Sequence, residues 1–245
     1  RRPASSPAAV RRVLRHVPAG ILGRIEDRDV LPLLAQFLTE RYNGHAAGAD
    51  VLTPLLALHG IFLLATKHGL DCPDFHARLY RLLTPTSFHA KCRTRFLRLL
   101  ASCLGSDHLP LYIAAAYAKR LARCALAAPP SGSLFCLAAV SNLLRRHRGI
   151  TGLIHRKGDQ EGKLLDVFDN ETNEPKEARA LDSSLWEVEA LARHYHPVVA
   201  ALARVCGRED ENTPLHDLED FLSHTYASIF EAEIRRGDVK RKGEE

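Results

Sequence analysis

Residues Leu109–His147 read LPLYIAAAYAKRLARCALAAPPSGSLFCLAAVSNLLRRH. At 100° per residue, Leu109, Tyr112, Ile113, Ala116, Tyr117, Leu121 and Cys124 share one broad face of a helix over Leu109–Leu126. Ala114, Ala115, Ala118, Ala122 and Ala125 share the opposite face, and a face of alanines lets a neighbouring helix approach closely. Pro129-Pro130 ends that helix. A second one, Ser133 to His147, carries Leu134, Phe135, Leu137, Val140, Leu143 and Leu144 around almost its full circumference. That is the pattern of a central, buried helix, in which Asn142 must find hydrogen-bond partners.

The same reading extends in both directions. Helices are expected over Ala8–His16, over Asp27–Tyr42 with Asn43-Gly44 as its stop, and over Asp50–His68 closed by Gly69. Pro73 stands where a first-turn proline would open Asp74–Leu83, and Thr84-Pro85-Thr86 then breaks the chain. Further helices are expected over Ser87–Leu104, Ser183–His194, Pro197–Val205 and Pro214–Arg236. Paired starts recur about every 44–47 residues, near the ~40–47 residue period of HEAT and armadillo repeats. No run shows sustained period-2 alternation, so the expected fold is all-α, a HEAT/armadillo-like helical-repeat solenoid. Residues 1–245 are expected to form a single such domain. A polar insertion at about 157–180 is pinned back by Leu164, Leu165, Val167 and Phe168. The absence of Met, even at position 1, points to a piece of a longer product. It also argues against reading the Arg-rich, acid-free Arg1–Arg24 as a transit peptide.

Charge is unevenly spread. Residues 1–156 carry 22 Lys and Arg against 8 Asp and Glu, while residues 157–245 carry 12 against 21. Between His76 and Arg156 stand 13 basic residues and one acid, Asp107. Such a surface attracts polyanions, unless the acidic C-terminal third neutralises it; composition leaves both readings open. Lys119, Arg120 and Arg123 cluster in the last turns of the first helix, where the helix dipole favours cations by roughly 0.3–1 kcal/mol each. Arg120 projects toward the large residues and is expected to hold a buried carbonyl or carboxylate. The second helix ends in Arg145-Arg146-His147-Arg148, with His155-Arg156-Lys157 close behind, more basic side chains than dipole compensation needs. The residues expected to contact RNA or a partner are Lys119, Arg123, Arg145, Arg146, Arg148 and Arg156.

Other chemistries find little support. The thirteen histidines include no H-x-x-x-H pair with an acidic helper, and the six cysteines form no C-x-x-C pair, so no metal site is expected. The thiols read as free, in a reducing compartment. No nucleophile–base motif or glycine-rich phosphate loop appears, so no catalytic residue, cofactor or small-molecule substrate is expected. The longest uncharged apolar run, Val51–Thr66, is too short for the ~20 residues that span a bilayer. Trp186, the single Trp, reads as a packing anchor in a helix capped by Asp182 or Ser183.

Several ordered segments resemble the CCAAT-binding-factor-like family of ribosome-assembly proteins. They are Ser106-Asp107-His108-Leu109-Pro110, Ala118-Lys119-Arg120-Leu121-Ala122-Arg123, Ala128-Pro129-Pro130, Asn142-Leu143-Leu144-Arg145-Arg146-His147 and Leu153-Ile154-His155-Arg156, then Asp182-Ser183-Ser184-Leu185-Trp186-Glu187 and His194-Tyr195-His196-Pro197. The resemblance runs from about Leu22 to Arg236. Arg148 departs from it, standing where the family usually has Pro. The resemblance implies a non-catalytic scaffold of the nucleus and nucleolus, acting in small-subunit ribosome biogenesis. By the same resemblance its partners would be nucleolar protein 14, as a heterodimer, then pre-rRNA and other proteins of the small-subunit processome. The alternative is a helical-repeat module that clamps an acidic peptide and touches no RNA.

Overall fold

The computed structural model describes residues 6–25, 29–44, 50–155, 166–208, 214–224 and 226–242. Thirteen α-helices and no strand occur among them. The first is α1 (Pro7–His16), started by Ser6, whose hydroxyl accepts from the Ala9 amide at 3.3 Å, and followed by a π-helical turn, Val17–Ile21. Next come α2 (Val30–Asn43) and α3 (Leu52–His68). The Asp50 carboxylate accepts from the Leu52 amide and the Thr53 hydroxyl and pairs with Arg11 at 3.0 Å, which ties the start of α3 to α1. Gly69, at φ 65°, ends α3 in the left-handed conformation that glycine adopts without strain.

The expected helix over Ser87–Leu104 is two: α5 (Pro85–His89) and α6 (Arg93–Leu104), after α4 (Phe75–Leu82). On one continuous helix Phe88 and Phe96 would lie about 12 Å apart along the axis. The bend at Ala90–Cys92 instead brings their rings to 6.4 Å, edge to face, and buries both. Pro73 does not open α4 either, because Asp74 takes φ 61° and the helix starts after it.

The two helices expected at the centre are α7 (Leu111–Ala127) and α8 (Pro130–Arg146), packed as a hairpin. Ala114, Ala115, Ala118, Ala122 and Ala125 are all buried, as is every residue of α8 from Ser131 to Leu144. Then come α9 (Gly152–His155), α10 (Trp186–Leu191), α11 (Pro197–Cys206), α12 (Leu218–Leu222) and α13 (Tyr226–Lys242). The last two replace the single helix expected over Pro214–Arg236. The cap expected at Asp182 or Ser183 is absent: α10 begins only at Trp186, and Ser183 donates its hydroxyl to Asp166 instead.

Neighbouring helices stack as in a helical repeat: α1 and α2 on α3, α3 on α4, α5 on α6, α7 on α8, α10 on α11. One buried apolar cluster runs through them from Val10 to Leu222. The C-terminal part departs from nearest-neighbour stacking, since α11 and α12 both return to α8 and α12 also reaches α6. Asn142 fastens this return, donating to the His216 carbonyl and accepting from the His216 amide, each at 2.8 Å. Arg93 donates to the His224 carbonyl at 2.7 Å, and Arg98 forms a two-pronged pair with Glu219 at 2.8 and 3.0 Å.

Candidate binding surface

The cations of α7 are enclosed by the segment expected to be a polar insertion. Residues 157–165, Leu164 and Leu165 among them, lie outside the described residues. From Asp166 onward the chain runs tightly over α7, with Phe168, Ala178 and Ala180 buried. Lys119 has no exposed surface. Its ammonium donates to the Ser184 carbonyl at 2.6 Å and sits 2.8 Å from Asp166 and 2.7 Å from Glu187. Arg123, one turn on, pairs with both carboxylates, at 2.6 Å to Glu187. Two cations and two anions therefore balance in a nearly closed site. Trp186 lies over it, its indole N–H on Asp166 at 2.9 Å and its ring facing Lys119 and Arg123.

The two carboxylates differ. Burial alone would raise Asp166, but hydrogen bonds from Lys119, Ser183 and Trp186 outweigh it and hold the carboxyl far below the usual range. Glu187 has no exposed surface, and burial pushes its pKa up against the pull of Lys119. Arg120, expected to hold a buried carbonyl, donates to those of Leu83 and Thr172, both at 2.9 Å, and lies over the Tyr80 ring.

Of the residues expected to contact RNA or a partner, Lys119 is thus closed off from any phosphate, and Arg123 is about two-thirds covered and committed to the same carboxylates. Trp186 is not a core residue but a half-covered lid, 38% exposed. Arg145 and Arg146 close α8, and Arg148 stands in the turn after it. Arg145 donates to the Pro214 carbonyl, Arg146 pairs with the largely exposed Asp107 at 2.7 Å, and Arg148 is exposed. His147 between them is buried, which lowers its pKa, so it adds little positive charge near neutrality. Arg156 lies outside the described residues.

Sequence reasoning missed Asp166 and Glu187. Their signal was Lys119 and Arg123 at i and i+4 among Ala118, Leu121 and Ala122: two cations one turn apart on an otherwise apolar helix call for buried carboxylates. The acidic C-terminal third does neutralise part of the basic middle. Residues beyond 165 contact Arg81, Arg93, Arg98, Lys119, Arg120, Arg123 and Arg145. No described helix is long and apolar enough to cross a membrane.

Stacked helical hairpins around a buried central helix, with a few arginines at one outer corner, define an all-α helical-repeat protein. Residues 54–203 match the model of the CBF/Mak21 family, and the chain belongs to that family. It is 44% identical over 222 residues to the human Nucleolar complex protein 4 homolog, covering 88% of this chain and 41% of that protein. It is 40% identical over 208 residues to the Gallus gallus Nucleolar complex protein 4 homolog, covering 83% and 39%. The Arabidopsis thaliana Protein NUCLEOLAR COMPLEX ASSOCIATED 4 is 38% identical over 231 residues, again covering 83% and 39%. The chain therefore spans about two fifths of the length of the curated relatives it matches.

Proposed function

We propose that this chain is the scaffold portion of a nucleolar ribosome-biogenesis factor of the small-subunit processome, holding a protein partner and contacting pre-rRNA without catalysing a reaction. The observation that carries this reading is the similarity along 83–88% of the chain to proteins named for a nucleolar complex. Nucleolar protein 14 is the partner the resemblance suggests. RNA contact is assigned to Arg145, Arg146 and Arg148, with Arg156 beside them in sequence. Phosphate contacts of this kind position a scaffold without reading sequence.

RNA retention at several salt concentrations tests the RNA half. Each lost phosphate contact should lower the slope of log affinity against log salt by about 0.7–0.9. The variant R145E/R146E/R148E should therefore bind RNA more weakly and with a shallower salt dependence. Equal retention would remove RNA from this corner.

A second reading, an acidic-peptide clamp with no RNA contact, is favoured by one observation. Seven of the basic side chains between His76 and Arg156 are already contacted by residues beyond 165. That leaves few free cations for an extended phosphate backbone, whereas a short acidic segment needs fewer. Copurification of a partner that survives nuclease, without RNA crosslinks, would support this version.

A further inference from the structure

Residues of α1, α3 and α6 line an open cleft of about 460 Å³. That volume is within the ~300–1,000 Å³ of typical binding clefts. Leu56, Phe62 and Leu63 of α3 and Leu99 of α6 form its apolar floor. Phe62 is braced by Phe75, with ring centroids 5.8 Å apart. Arg15 at the end of α1 and Arg95 and Arg98 on one face of α6 form the rim, and no Asp or Glu among the described residues lines the cleft. Arg15 and Arg95 are exposed and have no hydrogen-bond or ion-pair partner among the described residues. Arg98 is held only by Glu219, in a pair more than half exposed on both sides. Solvent screens such a surface pair, so an incoming carboxylate can replace Glu219.

We propose that this cleft receives an acidic amphipathic helix of a partner protein, its aliphatic side chains on Leu56, Phe62, Leu63 and Leu99 and its carboxylates on Arg15, Arg95 and Arg98. The charge admits a polyanion, and the floor selects among polyanions. A phosphodiester chain would satisfy the arginines yet leave the aliphatic floor in water, whereas a helix with acidic and aliphatic stripes satisfies both. The proposal rests on the reading that the chain holds a protein partner, and it assigns a surface to that role.

The test uses the full-length protein in its assembly, with p-benzoyl-phenylalanine in place of Leu63, and reads the photo-crosslinked segment by mass spectrometry. The expected product is a segment of another protein with aliphatic residues at helical spacing flanked by Asp or Glu. Adding R15E/R95E should reduce its yield at least tenfold while the helical circular dichroism is kept, both side chains being exposed and without a partner among the described residues. Crosslinks to RNA, crosslinks to another part of the same polypeptide, an unaltered yield in R15E/R95E, or no crosslink at all would each overturn the proposal. Partner copurification that survives nuclease while the cleft fails these tests would leave partner binding standing and place it elsewhere on the molecule.

Discussion

Lys119 shows how a single side chain can join elements far apart in sequence. Its ammonium holds Asp166, Ser184 and Glu187, 47–68 residues downstream. Replacing it by Met, which fills similar space, leaves Arg123 as the one cation shown against two largely buried carboxylates, so K119M is expected to cost about 3–5 kcal/mol in urea unfolding. Asp166 gives the network a pH signature. Its folded pKa lies well below the unfolded value of ~3.9, so its stabilisation is complete above that value and fades as pH falls through the folded one. The stability of D166N should therefore be lower near neutrality and fall less steeply than wild type below about pH 5. Glu187, pushed up by burial, has the opposite sign, so the D166N comparison is what isolates Asp166. The thiols divide in a similar way. Burial pushes Cys103, Cys124 and Cys206 up to about 12 and raises Cys136 well above the usual thiol value, whereas Cys72 and Cys92 are only partly buried. Two thiols should label with a maleimide in the native protein and four only on unfolding. Arg120 was legible in the sequence because it sits among large apolar residues. Asp166 was not, because nothing local distinguishes a carboxylate in a charged loop from one that closes over a distant lysine.

At the scale of elements, the sequence carried most of the helices and fewer of their joints. The C-terminal ends of α1, α2 and α3 fall within a residue of expectation; Gly69 acts through its left-handed preference, whereas Gly44 keeps φ −68°. The break between α5 and α6 carries no glycine or proline and exists because two phenylalanines meet across it, which only the folded core specifies. The crossing of α2 over α3 depends on Gly60, where an added Cβ would come within 2.8 Å of Leu38 and 3.3 Å of Val17. A packed crossing resists insertion, so G60V is expected to cost at least about 1–3 kcal/mol, read as a lowered denaturation midpoint. The smaller G60A gains up to about 1 kcal/mol of helix propensity and should lose less.

For the whole molecule the important feature is the return of residues 214–224 onto α6 and α8. The expectation of a buried α8 was right, and it explained why Asn142 needs partners. That those partners lie 74 residues later was beyond periodicity, because hydrogen bonds to backbone leave no mark on the residue that supplies the backbone. Leucine at position 142 would orphan the His216 amide and carbonyl, so N142L is expected to lose about 2–4 kcal/mol. Residues 1–245 are expected to unfold in one transition, with circular dichroism and tryptophan fluorescence coinciding. The return also sets a timetable for synthesis. Arg93 and Arg98 wait for partners made 131 and 121 residues later. At ~5–20 residues per second of translation that is a delay of roughly 6–26 s. During that interval the flank of α6 and α8 that residues 214–224 later cover stands open to solvent on the nascent chain.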